Sequence, residues 1–184
     1  MTASLHSPLA HLQEEMRATD GPLRLREIAS LGQLDLRADA AARPPLEQVL
    51  GVELPCRPNH WEEGPPDVFW LGPDEWLVVG AEDLTQELGA DLRAAADPWA
   101  AIVDVSDQRT VLELTGSAAI DILSSGCPID LHPRAFGPGQ CAQTLFGRAG
   151  VLISRDERED CFRLFVRSSF ASYAAERLLD AIRR

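Results

Sequence analysis

Glycine and proline punctuation between Val103 and Ser154 constrains this chain most. Gly116, Gly126-Cys127-Pro128, Gly137-Pro138-Gly139, Gly147 and Gly150 interrupt it every few residues. Glycine admits backbone angles closed to other residues, and proline removes a donor and fixes φ. The stretch therefore has room for a strand, a capped helix, a Pro-closed turn and two more strands. Thr110–Leu114 is the first strand. Gly116-Ser117 starts a helix carrying Ala119, Ile120 and Leu123, and Gly126-Cys127-Pro128 closes it. Gln143–Phe146, Val151–Ile153 and Cys161–Val166 read as strands, the first two joined by G-R-A-G at Gly147–Gly150.

The first half of the chain has a similar grammar. Ser7-Pro8 reads as a helix cap, with Leu5, Leu9, Leu12 and Met16 at helical spacing and Asp20-Gly21-Pro22 as the stop. Leu23–Ile28 and Gln33–Arg37 alternate apolar and polar residues, as half-buried strands do. Pro44-Pro45 opens a helix over Leu46–Leu50 that stops at Gly51. Asn59–Pro66 reads as a loop containing the carboxylates Glu62 and Glu63. Val68–Leu71 and Trp76–Val79 form a hairpin around Gly72-Pro73-Asp74-Glu75. Leu84, Leu88 and Leu92 mark a helix ending near Asp97-Pro98. The last helix, Phe170–Ile182, presents Phe170, Tyr173, Ala174, Leu178, Ala181 and Ile182 on one face, with the stem of Arg177 along it.

The expected fold class is α+β, with two similar strand-helix-strands-helix halves. The expected boundaries are an N-terminal helix and linker at 1–22, a first half at 23–98 and a second at 99–184, packed as one compact unit. A chain of 184 residues buries roughly 70 % of its unfolded surface and needs no metal or disulfide to stand up. Cys56, Cys127, Cys141 and Cys161 form no C-x-x-C pair and read as free, mostly buried thiols. No apolar run approaches the roughly 20 residues of a membrane span, and Met1–Arg17 lacks an apolar signal core. The expected location is the cytoplasm.

Composition excludes several chemistries. All 17 basic residues are arginine, so there is no lysine for a Walker loop, a pyridoxal Schiff base or a lysine general base. A net charge of −12 disfavours nucleic acid and anionic membrane. His6, His11, His60 and His132 form no H-E-x-x-H or H-x-H pattern and suit surface or turn positions. Asp104 and Asp107 flank Ser106; they either tune one another for acid–base work or, with Ser106, bond nearby backbone, and local bonding is the expectation. Ser106 lacks a nucleophile elbow. Gly137-Pro138-Gly139 is interrupted by proline and reads as a turn, not a phosphate cradle. Arg155, Arg158, Arg163 and Arg167 interleave with Asp156, Glu157, Glu159 and Asp160, a mixed-sign set expected on a solvated or partner-facing surface. Trp70 and Trp76 suit either a core or an interface. No residue is expected to be catalytic, to bind a cofactor or to hold a metal.

G-C-P-I-D-L-H-P-R-A-F at Gly126–Phe136 and C-A-Q-T-L-F-G-R-A-G from Cys141 resemble the small gamma subunits of heterotetrameric sarcosine oxidases. S-P-L-A at Ser7–Ala10 and L-G-P-D-E-W-L-V at Leu71–Val78 share the likeness, which covers essentially the whole chain. More distantly, V-D-V-S, the following G-x-x-A and A-G-V-L resemble the aminomethyltransferases (glycine cleavage T-proteins). That likeness implies a folate-binding type of fold. It also places Ile153 and Ser154 where those transferases carry an acidic pair, so independent one-carbon transfer is not expected. The gamma-subunit resemblance implies a chain without cofactors, working beside alpha, beta and delta subunits and most directly alpha. It implies FAD, FMN, NAD, tetrahydrofolate and zinc on those partners, and demethylation of sarcosine to glycine. The products it implies are hydrogen peroxide and either formaldehyde or methylene-tetrahydrofolate. Trp70, Trp76, His132, Arg134 and Phe136 are the candidate partner-facing residues. A stand-alone folate-binding transferase and a gamma subunit of another secondary-amine dehydrogenase are the alternatives.

Overall fold

The computed structural model describes residues 7–19, 23–96, 100–158 and 160–183. Besides two 3-10 turns, at Ala10–Leu12 and Ser168–Phe170, the elements run α1 (Gln13–Arg17), β1 (Arg24–Ile28), β2 (Leu31–Arg37), α2 (Arg43–Leu50), β3 (Trp61–Glu62), β4 (Asp67–Gly72), β5 (Glu75–Ala81) and α3 (Leu84–Ala95). They continue with β6 (Ala101–Asp104), β7 (Arg109–Thr115), α4 (Ala119–Ser124), β8 (Cys141–Phe146), β9 (Ala149–Arg155), β10 (Cys161–Arg167) and α5 (Ala171–Ile182). The class is α+β, as the pattern implies.

Two units result. One comprises residues 1–29, 107–138 and 143–184; the other comprises 30–106 and 139–142. The first is built on a sheet of order β1-β7-β10-β9-β8, the second on a sheet of order β3-β4-β5-β2-β6. The cut expected between residues 98 and 99 does not follow the strand pairing. β1 lies antiparallel to β7, with Leu25 opposite Leu114, whereas β6 lies antiparallel to β2, with Ile102 opposite Leu36. Each sheet thus takes one strand from the far side of the expected cut. The physical reason is that a lone strand finds its partners by apolar register across the sheet, which need not follow chain order.

In the second unit Leu34 faces Val78, and Leu36 faces Trp76. These side chains, with Leu46, Leu50, Leu54, Val68, Leu92 and Ile102, form one buried cluster against which Leu84 and Leu88 of α3 also pack. α2 begins with Pro44 and Pro45 in its first turn and ends at Gly51 in the left-handed conformation, φ 71°. The segment expected as a loop at 59–66 contains β3, because Trp61 lies opposite Phe69 and their rings stack with centroids 5.2 Å apart.

In the first unit the rows across the sheet alternate in character. One face carries Leu25, Leu114 and Phe162, with Leu112, Leu164 and Ile153 in the next row. The other face carries Arg26, Glu113, Arg163 and Ser154 in a single row. Ser7 Oγ accepts from the Leu9 amide at 2.9 Å and donates to Glu27, so it holds the N-terminal segment as a cap would. Ser117 makes no such bond at α4, where the Ala119 amide instead donates to the Gly116 carbonyl. The buried face of α5 is Ala171, Ala174, Ala175, Leu178 and Leu179, rotated from the expected stripe, and Phe170 is 42 % exposed. Small alanines bring that helix close, and the bulky residues flank the contact. The expected stops at Asp20-Gly21-Pro22 and Asp97-Pro98 lie outside the described residues.

Gly126 packs under the ring of Phe146, which is fully buried; a Cβ there would come within 2.5 and 2.7 Å of two ring carbons. Gly150 has open space. Gly126→Ala therefore costs about 1–3 kcal/mol of stability, while Gly150→Ala stays within about 1 kcal/mol of wild type. Urea unfolding monitored by circular dichroism checks both, and equal midpoints for the two variants would contradict the packing.

Candidate functional site

The five candidate partner-facing residues divide by burial. Trp76 is 1 % exposed and its Nε1 donates to the Pro55 carbonyl at 2.9 Å. Phe136 is 5 % exposed and closes the His132–Phe136 turn through its amide, which donates to the His132 carbonyl at 2.9 Å. Both are core residues of their units, and their expected place on an interface is corrected. Their rings gain more from packing against their own chain than a surface position would leave them. Trp70 is half-buried on β4, opposite Trp76. His132 and Arg134 are exposed, and His132 Nδ1 accepts the Arg134 amide at 3.2 Å.

The mixed-sign C-terminal cluster is where sequence reading and structure differ most. It was expected on the surface, yet Asp156 is 3 %, Arg155 6 % and Arg163 9 % exposed. Arg155 donates to the Phe136 carbonyl at 2.9 Å and lies over the ring of Phe162. Glu113, 4 % exposed in the middle of β7, receives Arg26 Nε at 2.7 Å and Arg158 Nη2 at 3.3 Å. Arg158 also reaches Asp156 at 2.7 Å and the Cys161 sulfur at 3.3 Å. Strand register brings these groups together: Arg26, Glu113 and Arg163 are direct cross-strand partners, and the Asp156 amide bonds the Cys161 carbonyl. Glu113 inside V-L-E-L-T was the available signal, because alternation puts it opposite Leu112 and Leu114.

Burial works to raise the Asp156 pKa, but hydrogen bonds and attraction from Arg158, with help from Arg163, outweigh it and hold the carboxyl below its ordinary value. Hydrogen bonding to Asp156 raises the Arg158 pKa, against the pull of desolvation. Burial, reinforced by the charge of Glu113, pushes the Cys161 thiol up. The Asp156–Arg158 pair is thus held in its charged form. Beside it the Ser154 hydroxyl is buried with no hydrogen-bond partner.

Asp104 and Ser106 bond locally, as expected. The Ser106 amide and hydroxyl both donate to Asp104 Oδ1, at 3.0 and 2.7 Å, and Ser106 Oγ accepts the Gln33 amide at 3.0 Å. Those two bonds from Ser106 hold Asp104 below its usual range. The glycine segments are also committed to structure. The Gly139 carbonyl accepts the Trp61 amide, and Gly147, at φ 61°, lies directly beneath the Tyr173 hydroxyl.

A hollow of roughly 560 Å³ opens in the second unit between α2 and the segment leading to β3, lined among others by Arg43, Glu47, Cys56, Arg57, His60 and Glu62. Arg43 donates to the Leu54 carbonyl at 2.5 Å and to Glu47 at 3.2 Å, and lies 5.4 Å from the Trp76 ring centroid. Desolvation works to lower the pKa of Arg43, and bonding to Cys56 and Glu47 raises it overall. Among the described residues no group of three or more His, Cys, Asp or Glu is placed to hold a metal ion, and no helix is long and apolar enough to cross a membrane.

The two sheets have the fold of the aminomethyltransferases. The glycine cleavage aminomethyltransferase T of Bartonella henselae superposes with a TM-score of 0.66, at 17 % identity, over 91 % of this chain and 48 % of that one. Within that fold, the chain belongs to the sarcosine oxidase gamma subunit family, whose pattern it matches over residues 35–183. It is 37 % identical to the sarcosine oxidase subunit gamma of Corynebacterium sp. (strain P-1), over 98 % of this chain and 91 % of that one. Identity to the Arthrobacter sp. subunit gamma is also 37 %, with the same coverage. A chain of the heterotetrameric sarcosine oxidase from Corynebacterium sp. U-96, solved with pyrrole 2-carboxylate, superposes with a TM-score of 0.90 at 34 % identity, over 97 % of this chain and 95 % of that one.

Two outcomes test this geometry. Because the folded-state pKa of Asp156 is depressed, its stabilisation is complete above the ordinary carboxylate value of about 4 and is lost as pH falls through the depressed value. Asp156→Asn should cost about 1–3 kcal/mol at neutral pH, a cost that narrows in acid; unfolding curves across pH 2 to 8 check it. Burial pushes Cys127 up to about 11 and Cys141 up to about 12, and Cys161 is buried too, whereas Cys56 is exposed. A maleimide at neutral pH should then label Cys56 in the native chain and all four thiols in denaturant, as read by peptide mass. Native labelling of Cys141 would contradict the burial.

Proposed function

We propose that this chain is the gamma subunit of a heterotetrameric sarcosine oxidase, in which it packs against the alpha subunit and carries no cofactor of its own. The observation that carries the reading is the TM-score of 0.90 at 34 % identity, over nearly the full length of both chains, to a heterotetrameric sarcosine oxidase chain. The assembly would demethylate sarcosine oxidatively to glycine, releasing hydrogen peroxide and either formaldehyde or methylene-tetrahydrofolate. FAD, FMN, NAD, tetrahydrofolate and zinc would reside on the alpha, beta and delta subunits and supply the redox and one-carbon chemistry.

Three features of the chain support a non-catalytic role beside such partners. Asp104, Glu113 and Asp156 each have hydrogen-bond or ion-pair partners within their own unit. At the Gly147–Gly150 turn the Gly147 amide donates to the Gly126 carbonyl and the Arg148 amide to the Tyr173 hydroxyl, so neither is available to cradle a phosphate. Ser154 occupies the position where the transferase likeness calls for an acid, and its hydroxyl is fully buried. The role left to the chain is enclosure and support: a wall that keeps a reactive one-carbon product from bulk water. Trp70, His132 and Arg134 remain the partner-facing candidates of the original five.

Isolation of the tagged chain from cells expressing its partners tests the proposal. The expected eluate is yellow, with a flavin absorbance band and larger subunits in fixed proportion to the tagged chain. A colourless chain that binds folate and turns it over unaided would instead establish a stand-alone transferase.

A further inference from the structure

We infer that the tip of the β8–β9 hairpin and the first turns of α5 form a docking face for a carboxylate-bearing segment of another subunit. The inference rests on the subunit reading above and names a surface distinct from the Trp70 hairpin and the His132–Phe136 turn. Arg148 and Gly147 form the hairpin tip, and the Arg148 amide donates to the Tyr173 hydroxyl at 3.1 Å. Tyr173 meets Phe170 edge to face, with ring centroids 6.4 Å apart. Arg177, one turn further along α5, lies over the Phe146 ring and donates to the Ser125 carbonyl at 3.3 Å. A Cβ on Gly147 would come within 3.0 Å of the Arg177 side chain, so tip and helix are packed together and the face is preformed.

The exposed chemistry of this face is that of a protein-binding spot. Phe170 is one of three large apolar residues left exposed among the described residues, at 42 %. Arg148 and Arg177 are exposed, and neither makes an ion pair with a described carboxylate. Glu176 is the carboxylate on these turns of α5, and it pairs with neither arginine. Aromatic residues and arginine are the types that dominate binding energy at interfaces.

Charge identifies the occupant. The chain carries 29 Asp and Glu residues, yet none lies between Leu131 and Arg155, a stretch in which about four would be expected at that density. Of the three arginines in that stretch, Arg148 is exposed at the hairpin tip, Arg134 lies on the separate His132–Phe136 turn and Arg155 is buried. The hairpin thus carries no carboxylate of its own, and at its tip Arg148 pairs with no described carboxylate, in a chain of net charge −12. Such a tip is complementary to an acidic segment with an apolar side chain to set beside Phe170.

The test uses the chain co-expressed with the flavin-bearing subunits. Arg148→Glu should weaken its association with them on the order of 30-fold, and Phe170→Ala about 10-fold, with Arg148→Lys close to wild type. Added salt should weaken wild type more than Arg148→Gln. Unchanged melting of the free variants shows that the fold is intact; were Arg148→Glu to melt early, Arg148→Gln carries the comparison. If wild type associates and the variants associate equally well, the docking face is wrong and the subunit reading stands. If wild type itself fails to associate, both fall. If sedimentation shows instead an Arg148-dependent dimer of this chain alone, the occupant is a second copy and the assignment to another subunit is overturned.

Discussion

Strand β7 depends on a buried carboxylate, and the first unit depends on β7. The strand pairs on one side with β1 and on the other with β10, so residues 24–28, 109–115 and 161–167 meet only through it. Glu113 sits at its centre with 4 % of its surface exposed, bonded to Arg26 from one flank and to Arg158 from the other side of the sheet. An unpaired carboxylate there would carry a desolvation cost of several kcal/mol. Because both its partners are mostly exposed arginines, their charges keep most of their hydration while supplying the bonds. The geometry therefore specifies register: a slip of β1 by one residue would carry Arg26 to the opposite face and leave Glu113 without that bond.

The elements themselves were largely legible, because helix and strand periods are local properties of the chain. The hairpin around Gly72-Pro73, the αL stop at Gly51 and the three strands after Cys141 all follow from residues within a few positions of one another. Strand exchange was not legible. β1 and β6 are both short, and nothing within Arg24–Ile28 or Ala101–Asp104 says which sheet completes them. The face of α5 was misread for a related reason. Large side chains define an apolar stripe in sequence, whereas the buried face keeps Ala174 and Leu178 of that stripe and adds Ala171, Ala175 and Leu179. The carboxylate–arginine cluster was hidden because alternating charges normally denote a solvated surface, and only the register of three strands turns Asp156, Arg163 and Glu113 toward one another.

What the chain lacks follows from how its special residues are used. Glycines near a ligand ordinarily leave room for it, but here the room is taken. Gly126 is filled by Phe146, and Gly147 by Tyr173 and Arg177. The hydroxyl of Ser106 accepts one amide and donates to Asp104, which accounts for its useful lone pair and its proton. Three of the four thiols are buried with raised pKa values, which removes them as nucleophiles. In a fold shared with the aminomethyltransferases, these groups of the chain are committed to packing and local bonding.

The two sheets protect their edges unequally. An open edge strand offers unpaired backbone groups to any passing strand, and proteins blunt it with charge or brevity. β1 carries Arg24, Arg26 and Glu27, and β3 is two residues long. β6 and β8 have less protection. Val103 on β6 is 53 % exposed and Leu145 on β8 is 49 % exposed, and the only charge on either strand is Asp104. Four residues limit what β6 can recruit, and at the start of β8 the Cys141 amide already donates to the Asn59 carbonyl. The less protected long edge thus belongs to the same hairpin whose tip bears Arg148. Charge protects the edge at β1 and brevity the edge at β3, whereas the outer strand of the β8–β9 hairpin is uncharged and carries Leu145 outward, with Arg148 as the first charge beyond it.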